Sequence, residues 1–280
     1  MFSLHPKTEF DIDSLARRWL ELGPPFRPSA DEIALFDLAL RSLPKNSPVL
    51  IIGDSPELRD LTAKYNLPTV VAADNLSNIL AMRQLRRQSG GYPEKMWVVD
   101  WRQMVSDKEK FAIALVDFSL NSLTDWEDYG LVLGNVYKLL QPGGKLAVRI
   151  GLFSPRPARL PAEVIGDMLA LPQHKFSWWW ELVLHSQASI YDKDSFQLDL
   201  GRFFRYQLPR LHQQGLITDE HWRAVSGYHF YNMMTVPSES EWEEMARMMF
   251  DIEIKKTASD YIAGDQVPFF ILKKKGRALI

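Results

Sequence analysis

The chain of 280 residues contains no cysteine. That excludes disulfide cross-links, cysteine-ligated metals and a thiol nucleophile, and it gives no sign of an oxidising compartment. No apolar stretch approaches the roughly 20 residues that span a bilayer. The first thirteen residues carry His5, Lys7, Glu9 and Asp11 and lack the apolar core of a secretory signal, so a cytoplasmic location is expected. Charge of one sign is also scarce. The formal net charge is −2, which provides no overall attraction to nucleic acid or to an anionic membrane, and neither is expected as a partner. The basic residues Lys273, Lys274, Lys275 and Arg277 read as a solvated tail. His185, His212, His221 and His229 could serve as bases, but none forms a pair at metal-ligand spacing, and no metal is expected.

What is present is ordinary for a globular protein: 46% hydrophobic and 24% charged residues. The length suits one large domain, or one domain carrying a sizeable insertion. Three regions stand out. Residues 1–46 read as helical cover, with apolar residues at helical spacing over 12–22 and 30–43, a stiff Gly23-Pro24-Pro25-Phe26-Arg27-Pro28 turn between them, and a Ser29/Glu32 capping box. Residues 47–151 alternate strand signals (49–52, 69–73, 96–99, 113–116, 146–150) with helical ones (56–65, 76–87, 129–140). Near-continuous apolar strands alternating with helices predict a parallel sheet covered on both faces.

Residues 152–238 break that pattern. They open with Pro155, Pro157 and Pro161, contain Trp178, Trp179 and Trp180 in succession, and include the cluster Tyr228-His229-Phe230-Tyr231. Helical signals fall at 162–171, 195–214 and 218–225. Three consecutive tryptophans are not expected to face inward together, so at least one is expected on a groove or partner surface. From Ser238 onward the alternation resumes with a Ser238/Glu241 capping box, an amphipathic helix, and two strands at 250–254 and 267–272 joined as an antiparallel pair. The expected organisation is therefore a cover (1–46), a nucleotide-binding-type domain (47–151 and 239–280) and an inserted region (152–238).

The turn after the first strand is the most telling segment. Gly53 permits a tight turn, Asp54 or Ser55 can cap the next helix, and Pro56 suits its first position. A dinucleotide site keeps this turn glycine-rich and uncharged so that the helix N-terminus can receive a pyrophosphate. Here Asp54, Glu57 and, one turn on, Asp60 would repel a phosphate. They suit a ligand with a ribose and cationic groups and no phosphate. Acids also stand at or just beyond later strand ends: Asp74, Asp100 and Asp117.

These residues together resemble the class I S-adenosylmethionine-dependent methyltransferases over 47–151 and 239–275. The first loop, Gly53-Asp54-Ser55-Pro56-Glu57-Leu58, is similar to a variant Gly-x-Ser/Thr-Pro-Glu-Leu form in which Ser55 and Glu57 replace the usual second and third glycines. Asp74-Asn75, 21 residues after Gly53, resembles the acidic motif that binds ribose hydroxyls. Asp100-Trp101 resembles the pair that faces the adenine. Asp117-Phe118-Ser119 resembles an Asp-Gly-Ser segment with phenylalanine in place of glycine, and Leu140-Gln141-Pro142-Gly143-Gly144 resembles the turn into the fifth strand.

The resemblance implies a doubly wound, mostly parallel seven-stranded Rossmann-like sheet with an antiparallel last strand. It implies S-adenosylmethionine as cofactor, S-adenosylhomocysteine as product and direct in-line methyl transfer. The implied cofactor-binding residues are Gly53, Asp54, Ser55, Pro56, Glu57, Asp74, Asn75, Asp100, Trp101, Asp117, Phe118 and Ser119. The aromatic insertion suggests a small, partly apolar acceptor, and no catalytic base is singled out. Two other functions remain open at this point. One is a non-catalytic binding protein on the same fold, favoured by Ser55, Glu57 and Phe118. The other is a nucleotide-dependent Rossmann enzyme, disfavoured by the acids at the first helix. Each acid also has a plain structural role available, as a helix cap or a dipole partner.

Overall fold

A computed structural model describes residues 12–86, 94–105, 110–154, 175–226 and 233–276. Its frame is built from short strands that are apolar on both faces. In β1 (Val49–Ile52) all four residues are buried, Leu50 and Ile52 against one layer of helices and Val49 and Ile51 against the other. β2 (Thr69–Ala73) and β4 (Phe111–Asp117) are buried throughout, and β5 (Leu140–Arg149) is buried over its second half. β3 (Glu94–Val98), at the sheet edge, is only partly covered. β9 (Phe250–Lys256) and β10 (Phe269–Lys274) complete the sheet, in the order β3-β2-β1-β4-β5-β10-β9. β1 to β5 pair in parallel, and β10 runs antiparallel to both β5 and β9. This is the expected doubly wound seven-stranded sheet.

The helices follow the apolar spacing. α1 (Ile12–Glu21) and α2 (Ala30–Leu40) precede the sheet, α3 (Pro56–Lys64) follows β1, α4 (Leu76–Gln84) follows β2, and α5 (Trp126–Leu139) precedes β5. The Ser29/Glu32 capping box forms, as does the Ser238/Glu241 box. α9 (Glu239–Met249) buries Trp242, Ala246 and Met249 on the α5 side of the sheet. The chain reverses its strand order between β1 and β4, and the cleft above their carboxyl ends is where such sheets bind ligands.

Between β5 and α9 lie α6 (Lys175–His185), α7 (Leu208–Gln213) and α8 (Asp219–Ser226), together with a second sheet of order β6-β7-β8 (Tyr191–Asp192, Gln197–Asp199, Met233–Thr235). The helix expected over 195–214 starts later, at Leu200. Phe196 takes a left-handed conformation (φ 57°) that closes the β6–β7 turn, and Asp199 then caps the helix by accepting from the Arg202 N–H at 2.7 Å. A π-helical turn, Phe203–Gln207, leads into α7. Pro155, Pro157 and Pro161, the helical signal at 162–171 and the cluster at 228–231 lie outside the described residues.

The tryptophan triplet also departs from expectation. Trp178 is 8% exposed, and Trp179 and Trp180 are fully buried. α6 is enclosed on every side, so consecutive positions around its circumference all find cover. Trp179 stacks on Phe204 at 5.2 Å and meets Phe203 edge-on, while Trp178 meets the His221 ring. Phe26, from the turn at 23–28, lies against Phe118, Phe176, Trp179 and Trp180 with ring centres 5.3–5.8 Å apart. This aromatic core thus draws on the N-terminal turn, the loop after β4, and Ala263 and Val267 before β10 as well as on the inserted residues.

Candidate functional site

Above the carboxyl ends of β2 and β3 lies a cavity of about 460 Å³ lined by Asp74, Asp100, Trp101, Arg102, Ser122, Leu123, Thr124 and Asp128. Its size falls in the range of small-molecule sites. Asp74 is exposed at the end of β2. It is not the cap of α4: that place belongs to Asn75, whose side-chain oxygen accepts from the Ser77 N–H at 2.8 Å. Trp101 opens a 3-10 turn (Trp101–Gln103) and donates its indole N–H to Ala72 O at 3.0 Å, which ties the turn to β2. Asn135 of α5 donates to the carbonyls of Trp101 and Arg102 at 3.1 and 2.9 Å. Asp100 caps the same turn and is paired with Arg102, and that hydrogen bond holds its carboxyl below the usual range against the opposing effect of burial.

The loop after β1 is shaped by Gly53, whose φ of +101° suits glycine. A Cβ there would collide with Ser119 Oγ. Ser119 Oγ in turn donates to Ile52 O at 3.1 Å, so the loop after β4 is drawn onto the end of β1. Pro56 starts α3 and is buried. Ser55 does not cap α3 through its side chain; its hydroxyl contacts Asp117 Oδ2 at 3.0 Å and Glu57 Oε2 at 3.2 Å. Glu57 is not among the residues that line the cavity above β2 and β3. Its carboxylate takes Arg27 Nε at 2.6 Å and the Trp19 indole at 3.3 Å, which holds the N-terminal cover against α3. Asp54 is half-buried, and its carboxyl is pushed up to about 6, chiefly by burial, with Arg59 opposing and Asp74 and Asp117 adding to the rise.

Asp117 is almost fully buried and committed to Arg149, whose Nε lies 2.6 Å away. Burial raises its carboxyl above the usual range, and the Arg149 charge works against that rise. Arg149 also pairs with Glu32 at 2.9 Å, and Glu32 accepts from the Tyr261 hydroxyl at 2.8 Å. A guanidinium buried to zero exposure costs several kcal/mol in desolvation, which two flanking carboxylates offset. Phe118, the next residue, is left-handed (φ 59°), where β-carbon crowding costs an L-residue about 1–2 kcal/mol. Its ring lies 5.3 Å from the Arg149 guanidinium and closely approaches Gly151, where a Cβ would sit 2.8 Å from it. The glycine usual at this position is thus explained by the backbone, and Phe118 is tolerated because Phe26, Trp180 and Arg149 surround its ring.

The twelve residues singled out in the sequence therefore divide. Asp74, Asp100 and Trp101 share the cavity; Gly53, Asp54 and Ser119 shape the adjoining loops; Asn75 and Pro56 begin helices; Ser55, Glu57, Asp117 and Phe118 are engaged in buried contacts. Sequence reasoning missed Arg102 and Asp128, which line the same cavity, Arg27 and Arg149, which pair with Glu57 and Asp117, and the second role of Glu32 as a partner of Arg149. Arg102 directly follows the noted Asp100-Trp101 pair and Arg149 lies within the expected fifth strand, but nothing local marks either as a partner of an acid, and only the capping box pointed at Glu32. Among the described residues no group of three His, Asp or Glu side chains is placed to hold a metal, and no helix is long and apolar enough to cross a membrane.

Neither a family model nor a curated protein matches the sequence. Solved structures match the fold at low identity. The CcbJ methyltransferase of Streptomyces caelestis is 11% identical with a TM-score of 0.61, the match covering 95% of this chain and 100% of that one. The N-methyltransferase NodS of Bradyrhizobium japonicum, crystallised with S-adenosylhomocysteine, is 13% identical with a TM-score of 0.53 over 94% and 98% of the two chains. A Burkholderia thailandensis 1,6-didemethyltoxoflavin N1-methyltransferase, bound to that compound and S-adenosylhomocysteine, is 11% identical with a TM-score of 0.51 over 94% and 79%. With its strand order, its antiparallel β10 and these likenesses, the chain has the fold of the class I S-adenosylmethionine-dependent methyltransferases.

Proposed function

We propose that the protein is an S-adenosylmethionine-dependent methyltransferase that acts on a small acceptor. The observation that carries this reading is the cavity above β2 and β3, where Asp74 is exposed at the end of β2 beside Trp101 and the Asp100–Arg102 pair. The donor set fits a phosphate-free nucleoside. Asp74 can accept both hydroxyl hydrogens of a ribose, and Trp101 supplies an aromatic flank. Asp54, between this cavity and the end of β4, places negative potential where a cationic group would sit.

When bound, S-adenosylmethionine supplies a methyl group already activated on a sulfonium, so the chain needs little catalytic machinery beyond positioning. Gly53 and Ser119 hold the loops after β1 and β4 in register, and the rigid turn at Trp101–Gln103 fixes the nucleoside end. The aromatic residues of α6 are buried and do not line the cavity, so the small acceptor is proposed from likeness to neighbours of that class. The Burkholderia neighbour, bound to a small heterocycle, is consistent with that class of acceptor.

Calorimetric titration with S-adenosylmethionine and S-adenosylhomocysteine tests the reading. Micromolar binding that weakens at least about tenfold in Asp74→Ala is expected. Binding of neither ligand, or equal binding by the variant, would overturn it.

A further inference from the structure

A cleft of about 280 Å³ opens where α1, α2 and α3 meet, and it shares no lining residue with the cavity above β2 and β3. Its apolar walls come from two packing groups. Trp19 and Leu85 belong to the small cluster that joins α1 to α4, whereas Ile33 and Leu61 belong with the core beneath α2 and α3. The seam between the groups leaves Leu20, near the end of α1, 56% exposed on the lining. The space is that of about nine water molecules in the liquid, which suits a single ring with a short substituent.

The charged residues on the lining are Glu57, Asp60, Arg27 and Lys64. Their formal charges balance, so spare hydrogen-bonding capacity decides what the cleft can hold. Both acids are occupied. Glu57 takes Arg27 Nε and the Trp19 indole on Oε1 and the Ser55 hydroxyl on Oε2, at 2.6, 3.3 and 3.2 Å. Asp60 pairs with Arg86 at 3.7 Å. The bases keep donors. Lys64 is exposed and bonded to Asp37 at 2.6 Å. Arg27 is bonded through Nε alone, so Nη1 and Nη2 carry N–H groups without a partner among the described residues. Its side chain is only 25% exposed, and a hydrogen bond made in such a place is stronger than one in open water. The end of a guanidinium that bears Nη1 and Nη2 is one that takes a carboxylate through two parallel bonds. The contact of Nε with Glu57 already restrains that end, so binding there costs little further side-chain freedom.

We propose that this cleft is a ligand site separate from the cofactor cavity, and that it takes a small carboxylate with an apolar, single-ring body. The ring is removed from water against Trp19, Leu20 and Leu61, and the carboxylate meets the open end of Arg27. An amine in its place would meet acids that are already engaged. A neutral molecule would leave the guanidinium donors to water. The inference stands independently of the nucleoside reading of the other cavity.

The test is a titration of the full, nitrogen-15-labelled chain, followed through the indole N–H resonances of its nine tryptophans. The peaks of Trp19 and Trp101 are identified from Trp19→Phe and Trp101→Phe. Three probes are compared: phenylacetate, 2-phenylethanol, which lacks the carboxylate, and acetate, which lacks the ring. Phenylacetate is expected to shift the Trp19 peak with a Kd of about 1 mM or tighter and to leave Trp101 unmoved. The other two probes are expected to bind about tenfold more weakly or worse. Leu20→Glu, a change at an exposed position that leaves the fold intact, is expected to weaken phenylacetate by about tenfold through like charge on the wall. Arg27→Lys keeps the charge and a partner for Glu57 but loses the fork. It is expected to weaken phenylacetate by about fivefold or more and 2-phenylethanol by less than about twofold. A mere loosening of the fold would not produce that split. No shift at Trp19, equal binding of the alcohol, or indifference to Arg27→Lys would overturn the inference. A shift at Trp101 instead would place phenylacetate in the cofactor cavity and overturn it as well.

Discussion

At the scale of single residues, Asp54 and Asp117 illustrate how burial separates carboxylates that the sequence presents alike. Asp117 is neutralised by Arg149 across a 2.6 Å contact. Among the described residues Asp54 has no such direct ion pair, and its carboxyl rises from the ordinary 3.8 to about 6. Its folded value thus lies above its unfolded value. As pH rises through the window from about 4 to about 6, the unfolded chain releases this proton first, so stability contributed by the protonated form is lost progressively. Above that window the buried charge costs about 2–3 kcal/mol. Asp54→Asn is therefore expected to raise the denaturant midpoint at pH 8 and to leave it nearly unchanged at pH 4. Urea titrations at the two pH values check this, and an equal gain at both would mean that the carboxylate is not desolvated.

At the scale of elements, the turn at 23–28 behaves as a fastener between parts that the sequence keeps far apart. Arg27 holds Glu57 at the start of α3, Pro24 O accepts from the Ser177 hydroxyl of α6 at 2.9 Å, and Phe26 fills the space between Phe118 and three aromatic rings of α6. α2 adds a second connection through Glu32, whose carboxylate completes the capping box and also receives Arg149. Phe26→Ala is expected to destabilise the protein by about 3 kcal/mol, the lower part of the range for a large aromatic lost from a core. The loss should be local in origin: amide exchange in α6 should quicken more than in β1 or β4. Uniform quickening, or none in α6, would contradict the fastening role.

At the scale of the whole molecule, the inserted residues do not own a separate core. Their buried cluster includes Phe118 from the loop after β4 and Ala263 and Val267 from the approach to β10. Asn121 also donates its side-chain amide to Gly151 O and Thr235 O at 2.9 and 2.8 Å, so one residue bonds the end of β5 to β8. Because these contacts cross the proposed boundaries, thermal unfolding is expected to be a single cooperative transition. Far-UV circular dichroism reports the sheet and helices, and the emission of tryptophans such as those in α6 reports the aromatic core. Coincident midpoints are the expected outcome, and two resolved transitions would show that the insertion folds on its own.

The sequence by itself determined the αβ alternation, the strand bounds at 49–52 and 69–73, both capping boxes and the placement of acids at strand ends, because each depends on local periodicity or on a cap within four residues. It also marked Asp74, Asp100 and Trp101, which share one cavity since they end neighbouring strands of a parallel sheet. Other features were settled only by tertiary packing. β7 lay hidden inside a helical pattern because its pairing with β8 spans more than 30 residues of chain. The three tryptophans read as too many for one interior until α6 was enclosed by the N-terminal turn and α8. Which acids are free and which are occupied depended on Arg27, Arg102 and Arg149. A charge pair is set by distance in space, and the chain separation from Glu32 to Arg149 is 117 residues.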